Sequence, residues 1–261
     1  MKIKLSIITV VRNDKNGLIQ TYNSIKSSLG EAVEWIVIDG KSTDGTMFFL
    51  ENLDCPYLKW IHESDRNMYD AMNKGTLMAR GEYLQFLNAG DSLLKSLDQS
   101  FLIGLNTTDL IFYNISKLNI NGIKINWSLP SDFLNHLVKY PSIPHQSTFI
   151  KKELFEKVGL YCENFKYLGD YEFFCRVFNN DKYNPSCTFR LDLVLVSFIC
   201  NGVTFNYRLS LKLMKECVVI QKQYYNKIYI PTILMYISKY VLSYIPGTLK
   251  IANSMRRIIK H

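Results

Sequence analysis

Beyond residue 205 this chain has almost no negative charge. Ten of its 31 Lys and Arg lie between Asn206 and His261, against one of its 23 acids, Glu216. The tail therefore carries +9 and residues 1–205 carry −1, so the front lacks the basic surface that a nucleic acid partner requires. Cysteine pairs are missing as well. The six cysteines (Cys55, Cys162, Cys175, Cys187, Cys200, Cys217) stand singly, without a Cys-x-x-Cys, which excludes a zinc module and predicts free thiols in a reducing cytoplasm. Long apolar runs are also lacking. Ile228–Ser238, the longest uncharged stretch of the tail, has eleven residues against the ~18–20 of a bilayer-spanning helix. Leu5–Val11 is cut off by Arg12, Asn13 and Asp14, too early for a signal peptide. No transmembrane helix is expected. No glycine-rich, Arg- or Lys-bearing phosphate loop stands near the N-terminus, which argues against a nucleotidyltransferase.

The chain does hold an alternation of periods. Leu5–Val10, Glu34–Asp39, Leu58–His62 and Glu82–Asn88 read as strands, and Asn16–Leu29, Thr46–Leu53 and Met68–Ala79 carry apolar residues at helical spacing. This order predicts an α/β fold, a Rossmann-like sheet flanked by helices. Leu110–Ile115, Thr148–Ile150 and Leu191–Phe198, with helices at Asp132–Val138 and Asp170–Phe178, extend the sheet, dividing the chain into 1–105, 106–205 and a tail, 206–261. The tail, interrupted by Pro231 and Pro246, predicts amphipathic helices. Ile233, Tyr236, Ile237, Tyr240, Val241 and Tyr244 share one face, and Arg256, Arg257 and Lys260 follow. Such a tail lies on an anionic membrane surface, at the inner face of the cell membrane, or packs on the body or a second copy in a homo-oligomer.

In parallel sheets ligands bind beyond the carboxyl ends of the strands, and here those ends are polar. Asp39 can accept from a ligand's imide or ribose, whereas Asp44 suits a helix cap. Asp91, after Asn88-Ala89-Gly90, either holds a hard divalent ion against a diphosphate or forms an Asx-turn or cap. Asp170 is either the base for an attacking hydroxyl or an N-cap, and Glu172 either assists or pairs with Arg176 at i,i+4. His145-Gln146, in a Pro-rich loop, offers a ligand for phosphate, sugar or metal, or is structural. His62, His136 and His261 have no such context.

Taken in order, five stretches resemble the family 2 glycosyltransferases of GT-A fold over about residues 3–200: Leu5–Asn13, Asp39–Thr46, Glu63–Gly75, Leu87–Asp91 and Gly169–Glu172. The likeness is greatest to bacterial polysaccharide and colanic-acid type transferases. It implies that 1–105 binds a nucleotide-sugar, UDP-sugar favoured, and that 106–205 binds the acceptor. Thr9, Val11 and Asn13 would lie near the nucleotide, Asp39 on the base, Asp65 and Arg66 near base or ribose, Asp70 and Lys74 close by, and Asn88 on the donor. Asp170 falls at the catalytic-base position, while His145, Gln146 and Glu172 serve acceptor or phosphate. The family's Asp-x-Asp is reduced to Asn88-Ala89-Gly90-Asp91, so either Asp91 binds Mn²⁺ or Mg²⁺ with the diphosphate and water completing the shell, or metal dependence is weakened. An inverting transfer to a lipid-diphosphate-linked glycan in surface-polysaccharide assembly is the expected activity. A non-catalytic nucleotide-sugar-binding scaffold is the alternative.

Overall fold

The structure, a computed structural model, describes residues 2–105, 107–118, 124–199 and 206–244. Strands β1 (Leu5–Val11), β2 (Val33–Asp39), β3 (Leu58–His62) and β4 (Tyr83–Phe86) pair parallel in the order β3-β2-β1-β4. Their crossovers contain helices α1 (Lys15–Ile25), α2 (Thr46–Glu51) and α3 (Met68–Met78). Side chains alternate across a strand. Ile8, Ile36, Ile38, Leu84 and Phe86 therefore face Tyr69 and Met72 of α3, while Ile7, Trp35, Val37 and Tyr83 face Leu18 and Ile25 of α1. All seven residues of β2 are buried, because helices cover both faces of this inner strand. Regular pairing of the fourth strand stops short of the expected Asn88. The Leu87 and Ala89 N–H groups nevertheless still donate to the Ile8 and Val10 carbonyls, at 2.9 and 3.3 Å.

The sheet then turns mixed. β8 (Thr148–Lys151) runs antiparallel to β4, β6 (Leu110–Leu118) antiparallel to β8, and β9 (Cys187–Ile199) parallel to β6. β5 (Ser92–Leu93) closes the order on β9, and β7 (Lys124–Trp127) pairs with β6. The remaining helices are α4 (Gln99–Ile103), α5 (Phe133–Lys139), α6 (Lys152–Val158), α7 (Gly169–Phe178), α8 (Ser210–Tyr225) and α9 (Ile230–Leu242).

The last two helices are built into the body. Leu213, Cys217 and Ile220 of α8 and Tyr236 of α9 belong to the core that also holds Phe173 and Phe174 of α7. The face expected to be apolar is thus divided. Tyr236 is 3 % exposed and packed inward, whereas Ile237, Val241 and Tyr244 point out at 39, 54 and 64 %. Arg256, Arg257, Lys260 and Cys200 lie outside the described residues. Among the described residues no helix is long and apolar enough to cross a membrane, and Cys55, Cys162, Cys175, Cys187 and Cys217 are free.

Candidate active site

Sheet register brings Val11, Asp39 and His62 into one row at the carboxyl edge. Asp39 is fully buried. It accepts from the Ser42 N–H at 3.2 Å, and contacts the Ser42 hydroxyl and His62 Nδ1. His62 is 27 % exposed, whereas the Asp39 side chain that it contacts is fully buried. The reading of His62 as a residue without context is corrected by this pairing across two strands, which no local motif announces. Asn13 adopts a left-handed backbone (φ 54°), letting its N–H donate to Ser42 Oγ at 2.7 Å while its Oδ1 accepts from the Thr43 N–H at 2.8 Å. Thr9, in contrast, is fully buried. Its hydroxyl donates to the Leu87 carbonyl and accepts from the Trp35 indole, so its side chain faces the sheet interior. Asp44 accepts from the Thr46 N–H at 3.1 Å and the Lys15 N–H at 2.8 Å, but the N-cap of α2 is Gly45, so Asp44 stands one residue before the cap position read for it.

Between β3 and α3 lies a charge cluster. Lys74 Nζ sits 2.7 Å from Asp65, 2.9 Å from Glu63 and 3.7 Å from Asp70. Burial works against its charge, but the Asp65 and Glu63 carboxylates overcome this and hold its pKa above the ordinary lysine value. Arg66 reaches Asp70 at 3.2 Å and contacts Glu163, leaving most of its surface exposed. Asn67 caps α3 by accepting from the Tyr69 and Asp70 N–H groups.

Asp170 lies in the first turn of α7 between two partners. The Tyr69 hydroxyl donates to Oδ1 at 3.0 Å, and His145 Nδ1 lies 2.9 Å from Oδ2. Burial raises the carboxyl pKa, yet these two partners outweigh it and hold it below the usual carboxylate range. The close approach depends on Gly169, where a Cβ would fall 2.8 Å from the Tyr69 ring. His145 is 8 % exposed, and its Nε2 is buried without a partner. Gln146 contributes its carbonyl, which accepts from Gln85 Nε2 at 2.9 Å. Glu172 does not face this site. It is 2 % exposed, and its carboxylate is held by Arg176 and the Tyr224 hydroxyl, so the i,i+4 pairing is its role in this fold.

Asp91 is 7 % exposed, and its Oδ2 accepts from the Asn88 N–H at 3.1 Å. Burial pushes its pKa up to about 7, with the nearby His145 and the Asn88 N–H opposing. No helix starts here, since Ser92 enters β5. Among the described residues no three His, Cys, Asp or Glu side chains gather around an ion. A divalent ion therefore needs oxygens from its substrate. Asn88 Oδ1 is buried without a partner and the Asn88 N–H donates to Asp91 Oδ2, so these two residues offer hard oxygens of the kind Mn²⁺ or Mg²⁺ takes, with a diphosphate to complete the set.

The family model for glycosyl transferase family 2 matches residues 6–158. An uncharacterized glycosyltransferase of Mycobacterium tuberculosis (strain H37Rv) is 29% identical over 178 residues, 66% of this chain and 68% of that relative. A PGL/p-HBAD biosynthesis glycosyltransferase of the same strain is 32% identical over 155 residues, covering 56% of this chain and 59% of its own length. TarS 1–349 of S. aureus, solved with UDP-GlcNAc, superposes with a TM-score of 0.63 at 15% identity, over 92% of this chain and 72% of that one. The mannosyltransferase PcManGT of Pyrobaculum calidifontis, solved with GDP-Man and Mn²⁺, gives 0.61 at 14%, over 99% and 81%. At these identities the structural likeness speaks to fold, which is the GT-A type: a mixed sheet flanked by helices.

Proposed function

Starting from a chain that belongs to glycosyl transferase family 2, we propose that it transfers a sugar, with inversion, from a nucleotide-diphosphate donor to a hydroxyl of a lipid-linked glycan in surface-polysaccharide assembly. The observation that carries this reading is Asp170, ionised, accessible at one side and fixed by Tyr69 and His145. Its carboxylate takes the proton of the attacking hydroxyl. As that oxygen bonds to the anomeric carbon, the bond from this carbon to the diphosphate oxygen breaks on the opposite face, and its electron pair leaves with the nucleoside diphosphate. Val11, Asn13, Asp39 with His62, and Asp65 with Arg66 line the carboxyl edge where base and ribose fit. UDP is the favoured nucleotide, supported by the UDP-GlcNAc that TarS binds. An ion held by Asp91 and the donor would neutralise the departing diphosphate.

Membrane docking is part of the same proposal. The outward face of α9 carries Ile230, Leu234, Ile237 and Val241, with Tyr244 just beyond its end, all exposed, within a tail of charge +9. Docking through this face would bring the enzyme to a lipid-linked acceptor.

The test is nucleoside diphosphate release from UDP-, GDP- and dTDP-sugars, with and without Mn²⁺, by wild type and Asp170→Asn. The variant should lose about 10² to 10⁴ in turnover with donor affinity little changed. Near-normal turnover by Asp170→Asn removes the base assignment. Donor binding without any turnover by the wild type favours the scaffold reading.

A further inference from the structure

Resting on the transfer reading above, we propose that Tyr69 is a positioning residue for Asp170 whose hydroxyl proton turns from the carboxylate to the Tyr167 carbonyl as Asp170 takes the acceptor's proton. The observation is one proton between two acceptors. The Tyr69 hydroxyl oxygen lies 3.0 Å from Asp170 Oδ1 and 3.1 Å from the Tyr167 carbonyl oxygen, and a phenol has a single hydrogen to share between them. Its ring cannot follow either partner. Tyr69 is fully buried, packs tilted against Tyr161 at 5.7 Å and sits where a Cβ on Gly169 would fall 2.8 Å away, so rotation about the C–O bond is the freedom that remains. Burial and the Asp170 carboxylate raise the Tyr69 pKa well above the ordinary tyrosine value, so the phenol keeps its proton throughout.

Charge decides where the proton points. A hydrogen bond to an ionised carboxylate is about twice as strong as one between neutral groups, so the resting phenol donates to Asp170. The acceptor O–H then breaks, its proton joins the carboxylate, and its oxygen bonds to the anomeric carbon as the bond to the diphosphate oxygen opens. Asp170 is now neutral. A neutral carboxyl oxygen is a weaker acceptor than a peptide carbonyl, and the Tyr167 carbonyl is one rotation away. No Tyr69 bond breaks in this step. Before transfer the phenol holds Asp170 ionised and aimed; after it, the same hydroxyl no longer favours the charged form, so the base strengthens as it is used. His145 serves the other oxygen, Oδ2. Tyr161 and Tyr236 of α9 also stand within electrostatic range of Asp170, and burial raises the pKa of both, which keeps them neutral.

The experiment has a kinetic arm and a spectroscopic arm. Nucleoside diphosphate release from UDP-, GDP- and dTDP-sugars with Mn²⁺ is followed from about pH 4 to about pH 8 for wild type and Tyr69→Phe. The variant should fall about tenfold on the plateau with UDP affinity unchanged, and its acid limb should lie about one unit above that of the wild type, because a bond that favoured the ionised carboxylate is gone. A merely structural Tyr69 would lower the plateau and leave the limb in place. In protein labelled with ¹³C at its tyrosine carbonyls, the Tyr167 resonance should move downfield in Asp170→Ala, where the phenol has only that carbonyl to donate to. Adding Tyr69→Phe should return it to the wild-type position. If the wild type releases no nucleoside diphosphate, the transfer reading falls and this inference with it. If release occurs while the limb does not move, or the Tyr167 resonance ignores Asp170→Ala, the proton switch alone is overturned. Should Tyr69→Phe fail to bind UDP, the response of Tyr167 to Asp170→Ala decides by itself.

Discussion

At the amino edge of the sheet, far in sequence from Asp170, Glu34 is 3 % exposed and fully engaged. It accepts from the Ser6 hydroxyl at 2.7 Å and the Arg80 N–H at 2.6 Å, and pairs with Lys59 at 3.1 Å and Arg80 Nε at 3.2 Å. Burial raises its pKa, but the Ser6, Arg80 and Lys59 interactions outweigh it, so the folded value lies below the ordinary one. A lowered carboxyl pKa means that the unfolded chain binds the proton first. The stability from Glu34 is therefore present above the unfolded value and lost as pH falls through the folded one. Glu34→Gln should cost about 1–3 kcal/mol at neutral pH, and the gap to wild type should narrow below about pH 4. Urea midpoints at pH 7 and pH 3 check this, and an equal gap at both would contradict it. Single residues were unequally legible. Asp170 announces itself by following a glycine at a helix start, whereas His62 gains its partner only when β3 lies beside β2.

Among the elements, α7 depends on α8. Glu216 accepts from the Lys166, Tyr167 and Leu168 N–H groups at 2.8, 2.9 and 2.8 Å, satisfying donors just before α7 that have no intrahelical partner. Tyr224 of α8 holds Glu172 one turn along. The tail helix thus sets where Asp170 stands. Glu216→Ala should lower turnover about tenfold through misplacement of the base, leave donor affinity unchanged, and cost about 1–3 kcal/mol of stability. Wild-type turnover in a variant with lowered melting temperature would limit Glu216 to stability. Helix periodicity placed α3 within one residue of its observed end, but it overran α1, which stops at Ile25. There the Ser28 hydroxyl turns to accept from the Leu97 N–H at 2.9 Å, a tertiary contact that a local pattern does not contain.

For the whole molecule, membrane docking is tested on the outer face of α9 and not by shortening the chain. Ending at Phe205 would strip Leu213, Cys217 and Ile220 from the core along with the basic tail. Leu234→Glu with Val241→Glu, two positions 59 and 54 % exposed, leaves that core intact. The wild type should float with anionic vesicles at low salt and less at high salt, with each nearby basic residue adding on the order of 1 kcal/mol. The double variant should remain in solution. A wild type that stays off vesicles but sediments as a dimer, which the double variant dissolves, would make this face an interface between copies.

Strand–helix alternation, the polar carboxyl edge and the uneven charge were all determined locally, because each depends on neighbours within a few residues or on composition alone. The parallel start of the sheet and the candidate carboxylates were therefore legible in the chain. Tertiary structure decided which of those carboxylates remain accessible. Glu172 and Asp170 are two residues apart on one helix, yet α8 and Arg176 bury the first while Tyr69 and His145 orient the second. It also decided how the tail is used. The same helical period supports packing or exposure, and only the contacts of Tyr236 with the core assigned one side of α9 to the body and left the other outward.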